Sequence, residues 1–232
     1  MARYVGLDVH KHSIEVCALD AGGKVVYRGR TGCLRHELEA FARDHLEKTD
    51  RVALEAITNT WAVAGVLRPF VTEIVVGNPL KTRAIAEARV KTDKVDAEVL
   101  AQLLRCDYLP AVWQPDEGTQ RLRALMTHRD ALMTQRSRSK NHVQGLLAGL
   151  LLRPPCKVLW TKTGMAWLGG MELPAHVRLM LDSELRQVAA ADAELAALDA
   201  ELVASTKADP RVRLLMTIPG VNYVVALGLL AA

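Results

Sequence analysis

The sequence predicts an α/β fold in which a mixed sheet carries helices and an all-helical region follows. Three observations lead there. Strand-like segments come first as a run of three and then alternate with helical ones, the order of a mixed sheet with helices packed on it. After Pro115 the pattern changes to long helical stretches. The composition, 50% hydrophobic and 24% charged over 232 residues, is that of an ordinary soluble protein with enough chain for one good core and an appended region.

Residues 3–9 and 13–19 read as strands, Ala21-Gly22-Gly23 as a turn, and 24–28 as a third strand, together an antiparallel meander. Leu34, Leu38, Phe41 and Leu46 repeat at helical spacing. A short strand at 51–55, a helix at 61–70, a strand at 73–76 and helices at 81–88 and 93–104 follow. This order is found in ribonuclease-H-like folds, and residues 1–115 are expected to form that domain.

Residues 116–208 are expected to be helical, with one helix over 119–152 stopped by Pro154-Pro155 and another over 174–206. In the second, Leu181, Val188, Leu195 and Leu202 recur every seven residues. Such a seam needs a partner helix, which predicts a coiled coil and a homo-oligomer, dimer or tetramer; one helix of a compact bundle would show the same pattern. Residues 209–232 read as helix, Pro219-Gly220 turn, helix, the outline of a helix-hairpin-helix whose turn offers N–H groups to phosphate. The pattern stops inside its second helix, as a fragment or truncated protein would.

Net charge is +4, but it is concentrated. Between Thr119 and Lys157 stand Arg121, Arg123, Arg129, Arg136, Arg138, Lys140, Arg153 and Lys157 against the single acid Asp130. A nearly one-sign stretch repels itself unless a polyanion neutralises it, so nucleic acid is expected there, in preference to a merely solvated face. Aromatics are 4%, too few for single-strand binding by stacking. The four cysteines form no CxxC pair, which argues against a zinc or disulfide framework and suits a reducing cytoplasm. No apolar run is long enough for a membrane span.

Side chains two apart share a strand face, so Tyr4, Gly6, Asp8 and His10 oppose Val5, Leu7 and Val9. Asp8 thus falls in the middle of a sheet, where a carboxylate is costly without a partner, and Gly6 beside it is expected to leave room for a ligand. Glu55 ends its strand and emerges near Asp8 if the two strands are parallel neighbours. Asp93 and Asp96 are three apart at a helix start, where capping alone could explain them. Four acids arriving from strand, strand and helix are better explained together by hard cations held by oxygen. Two such ions can activate an attacking oxygen and stabilise the leaving oxygen of a phosphodiester. Lys91 and Lys94 flank Asp93, and Lys11 follows Asp8, each placed to meet phosphate.

Gly6-Leu7-Asp8-Val9-His10-Lys11, Leu54-Glu55-Ala56 and Lys91-Thr92-Asp93-Lys94-Val95-Asp96-Ala97 resemble the three blocks of the DEDD transposases of bacterial insertion sequences. The third block is the most specific. That group includes the pilin-gene invertases, and its N-terminal domain resembles the Holliday-junction resolvase RuvC. The resemblance implies that Asp8, Glu55, Asp93 and Asp96 are the catalytic, metal-binding acids, with two Mg²⁺ or Mn²⁺ ions as cofactor. It implies DNA and a structured guide RNA (a bridge RNA) as partners, and DNA strand cleavage and exchange as the activity. The family's attacking serine belongs to a later block beyond Ala232; Ser137, Ser139, Ser183 and Ser205 stand in contexts that do not match it. Asn222 stands where the family usually has glycine, and asparagine tolerates the left-handed backbone that such a turn needs.

Three other readings compete. A structure-selective junction nuclease would use the same acids with water as nucleophile. A sugar-kinase-like ATPase would need small residues after Asp8, and Val9-His10-Lys11 is too bulky. A non-catalytic nucleic-acid-binding fragment fits the basic stretch.

Overall fold

The computed structural model describes residues 2–85 and 93–232, with the side chains of 93 and 94 outside the description. The chain divides into two compact units, Met1–Gln114 and Pro115–Ala232.

The first unit contains β1 (Tyr4–Val9), β2 (Ser13–Leu19), β3 (Val25–Gly32), α1 (Arg35–His45), β4 (Arg51–Glu55), α2 (Thr60–Leu67), β5 (Glu73–Gly77), α3 (Pro79–Ile85) and α4 (Asp93–Arg105). The sheet order is β3-β2-β1-β4-β5. The meander is antiparallel, whereas β4 and β5 add parallel to β1, so the sheet is mixed as expected. Gly23, at φ 87°, closes the β2–β3 turn in a backbone region that favours glycine. The expected helix at 81–88 begins earlier, at Pro79, because the Asn78 side chain accepts from the Leu80 and Lys81 amides; residues 86–88 lie outside the described ones.

Both faces of this sheet are covered, which is why β2 is apolar almost throughout. Val5, Leu7 and Val9 join Leu38 and Phe41 of α1 and Val63 and Leu67 of α2 in one core. On the other face Tyr4, Cys17, Leu19 and Ala53 meet Ala97, Leu100, Ala101 and Leu104 of α4. Each fully buried leucine contributes roughly 1.5–3 kcal/mol. β4 is held beside β1 by a buried carboxylate: Arg3 donates through Nε and Nη2 to Asp50 at 2.9 and 2.7 Å, and the Glu47 amide completes its bonding at 2.8 Å. An unpaired carboxylate there would be costly, and the bidentate pair offsets that.

The second unit contains α5 (Glu117–Gly149), α6 (Lys162–Gly170), α7 (Ala175–Thr206), α8 (Pro210–Leu215) and α9 (Tyr223–Ala231). Asp116 starts α5 by accepting from the Thr119 amide at 2.7 Å. α5 and α7 lie antiparallel, since Arg129 pairs with Asp199, Arg136 with Asp192 and His142 with Glu184. The α7 seam is buried inside this unit: Leu181 packs with Val143 and Leu147 of α5, and Leu202 with Leu122, Leu125 and Met126 of α5. The partner helix that the heptad spacing demanded is therefore supplied by the same chain. A seam records that something covers it, not which molecule does.

α6 is not legible as a helix in the sequence, because three of its nine residues are glycine. Its start is set by the Thr161 hydroxyl, which accepts from the Gly164 amide. Gly164 itself lies against the Leu159 carbonyl, where an added Cβ would stand at 2.0 Å. In the turn before α9 the left-handed residue is Gly220, at φ 86°. Asn222 is extended and caps α9, its Oδ1 accepting from the Val225 amide at 2.9 Å.

Candidate active site

β1 and β4 run parallel with Leu7 beside Leu54, so Asp8 and Glu55 stand one step further along neighbouring strands. α4 crosses this end of the sheet and brings Asp96. Asp8, Glu55 and Asp96 line one cleft of about 110 Å³, together with Pro79, Thr82, Arg83, Val99 and Leu100. The proximity that the spacing implied for three of the four acids is thus present. Asp93 is the first residue of α4, and its side chain, like that of Lys94, lies outside the described residues, as does Lys91 altogether.

The expected role of Gly6 changes. An added Cβ would stand 1.9 Å from the Ala97 carbonyl oxygen, so the space beside Asp8 is taken by the backbone of α4 rather than by a ligand. Close approach of helix to strand is what carries Asp96 to Asp8. Beyond Glu55, the Thr60 hydroxyl accepts from the Ile57 amide and donates to the Glu55 carbonyl, both at 2.7 Å, fixing the backbone where that carboxylate emerges.

Of two polar neighbours of Asp8, the sequence named His10 only as a residue of the same strand face, and Glu15 was not singled out. His10 Nε2 lies 3.0 Å from Asp8 Oδ2, so its ring serves the carboxylate. Glu15 is the cross-strand partner of Asp8 and on the same face. Like charges opposed across a ladder repel, and Arg30, 3.3 Å from Glu15, offsets this. Strand alternation could have flagged Glu15, an acid within a run of buried positions. Thr82 and Arg83 carry no comparable signal, because only the fold brings α3 to the cleft.

The carboxylates are hard oxygen donors of the kind that suit Mg²⁺ or Mn²⁺. Among the described residues no three of His, Cys, Asp or Glu are grouped closely enough to hold an ion by themselves. The three acids share a cleft without converging on a point.

The basic residues of the second unit divide. Arg129 reaches Asp199 at 2.7 Å and Arg136 reaches Asp192 at 2.8 Å. Arg123 donates to the carbonyls of Ala231 and Ala232 at the end of α9. Lys140 sits over the Trp160 ring, 4.9 Å from its centroid. Arg121 and Arg138 are exposed, as is Lys11 in the first unit. The one-sign stretch that seemed to need a polyanion is thus partly neutralised by the acids of α7. Among the described residues no helix is long and apolar enough to cross a membrane.

A family model described as transposase, of the DEDD type found in IS110 elements, matches residues 5–151. The chain is 27% identical over 179 residues to the y4qE protein of Sinorhizobium fredii, itself named only by inference as a transposase; that match covers 75% of this chain and 46% of that protein. It is 23% identical to the transposase of insertion sequence element IS1111A from Coxiella burnetii, over 99% of this chain and 63% of that protein. A transposase of element IS1533 from Leptospira borgpetersenii is also 23% identical, over 98% of this chain and 68% of that protein. The chain therefore spans about half to two thirds of the length of these relatives.

Proposed function

Because this chain belongs to the DEDD transposase family of insertion sequences, we propose that its first unit performs metal-dependent phosphodiester chemistry on DNA during transposition. The observation that carries this is the shared cleft of Asp8, Glu55 and Asp96 at the C-terminal ends of β1 and β4, interior strands of a mixed sheet. Strand order and helices on both faces support a ribonuclease-H-like, RuvC-like reading of the unit.

Asp8, Glu55, Asp96 and, from the family pattern, Asp93 would hold two Mg²⁺ or Mn²⁺ ions. Such ions, when bound, polarise the phosphate and stabilise the charge that develops on its oxygens. The chain's own groups prepare the site. His10 orients Asp8, Thr60 holds the backbone at Glu55, and Arg83 adds a positive charge to a cleft of acids. Exposed Arg121 and Arg138, with Lys11, Lys91 and Lys94, would contact the DNA or a structured guide RNA. Arg138 lies in an open concavity of α5 with Ser137, Asn141 and His142, which suits a backbone-tracking contact. Strand exchange also needs a nucleophile that keeps the broken end, and the family's serine block is not matched by any serine here.

The test is a Mg²⁺ titration followed by thermal unfolding. An ion that binds only the native state raises the melting temperature, by an amount equivalent to about 2.7 kcal/mol at a hundredfold excess over its Kd. Asp8→Asn and Asp96→Asn should remove the rise. A rise of wild-type size in both variants would sink the assignment.

A further inference from the structure

We propose that the Thr82 hydroxyl binds a non-bridging oxygen of the phosphodiester that enters the cleft, an inference that rests on the reading above and adds a residue to it. Thr82 is 3% exposed, and its Oγ1 is buried without a hydrogen-bond partner among the described residues. A helical threonine commonly returns its hydroxyl to the carbonyl four residues back. Here the Asn78 carbonyl accepts the Thr82 amide at 2.8 Å, and the hydroxyl is left over. A buried polar atom left in this way destabilises the native state unless something outside the fold satisfies it.

Thr82 lines the same cleft as Asp8, Glu55 and Asp96. Gly77, the last residue of β5, packs beside it: an added Cβ would stand 3.3 Å from Thr82 Oγ1 and 2.9 Å from Leu109 Cδ1. Carboxylates alone repel a phosphate. Among the described residues, the other polar side chains lining the cleft are those of Thr82 and Arg83, one neutral donor and one cation. A phosphate oxygen is an acceptor, and a hydroxyl with no other acceptor is the group to meet it, with Arg83 supplying charge at the mouth.

The experiment compares Thr82→Val, which keeps the shape and removes the hydroxyl, with Thr82→Ser, which keeps the hydroxyl. Three quantities are read: the melting temperature without ligand, its rise with Mg²⁺, and the affinity for dithymidine monophosphate diester in Mg²⁺. Thr82→Val should melt no lower than wild type, because an unsatisfied hydroxyl is replaced by a methyl group. It should keep the Mg²⁺ response and bind the diester about tenfold or more weakly, the size of a lost bond to a charged acceptor. Thr82→Ser should restore the affinity. A lower melting temperature in Thr82→Val would show the hydroxyl to be satisfied within the fold and would overturn the inference. So would unchanged diester affinity, undetectable diester binding by wild type, or a Mg²⁺ response lost together with the diester, which would assign the hydroxyl to water on the ion. Absence of any Mg²⁺ response in wild type is a separate failure: it removes the metal reading, while the diester affinities of the two variants still decide on Thr82.

Discussion

Gly6 of β1 and Ala97 of α4 meet backbone to backbone, with the position of a Gly6 Cβ only 1.9 Å from the Ala97 carbonyl oxygen and 2.7 Å from the Ala101 amide nitrogen. The flanking residues follow from that contact: Asp96 precedes Ala97, and Asp8 lies two residues beyond Gly6 on the same strand face. Gly6→Ala should push α4 away from the sheet. Overpacking of this kind costs about 1–3 kcal/mol, read by urea denaturation, and the Mg²⁺-induced rise should shrink with it. Unchanged stability would mean that the helix adjusts freely and does not locate Asp96.

The basic side chains of α5 should separate into two classes. Arg136→Ala breaks a partly exposed pair with Asp192 and should cost no more than about 1 kcal/mol, leaving the salt dependence of nucleic-acid binding as it was. Arg121→Ala and Arg138→Ala should each reduce the slope of log K against log salt by about 0.9, one duplex phosphate contact apiece. The reverse pattern, with Arg136 setting the slope, would place the nucleic acid on the α5–α7 groove.

Val188→Glu with Leu195→Glu should melt the second unit rather than dissociate an oligomer. Both residues are buried within this chain, at 6% and 5% exposure, and an unpaired charge there costs several kcal/mol. Circular dichroism should show lost helix at ordinary temperature. A double variant that keeps its helix and merely sediments as a smaller species would return the seam to an interface between copies.

Acid should loosen the second unit through two helix caps. Accepting from the Thr119 backbone amide holds the Asp116 carboxyl below its ordinary value, and the Arg211 guanidinium does the same for Asp209. A carboxyl whose pKa is depressed by folding contributes stability above the ordinary carboxylate range, lost as pH falls through the depressed value. Asp116→Asn with Asp209→Asn keeps a capping oxygen, so neutral stability should change little while the acid-side decline flattens. A decline of unchanged steepness in the double variant would locate the acid sensitivity in other carboxylates.

The sequence by itself determined the mixed sheet, the extents of β2 and β4, the two faces of β1, and the presence of an acid near the end of each of β1 and β4, whereas the pairing of those two strands came from the fold. Those properties are local, set by alternation along a strand and by helix spacing. Which surfaces meet is not local, and it was decided only by the tertiary structure. Helical periodicity marked the α7 seam as covered, but Val143, Leu147 and Leu125 of the same chain cover it. Gly6 promised an opening beside Asp8, and the backbone of α4 fills it. Nothing around Thr82 in the sequence distinguishes its hydroxyl. It stands out because it is buried at a cleft shared with three acids and no acceptor among the described residues meets it.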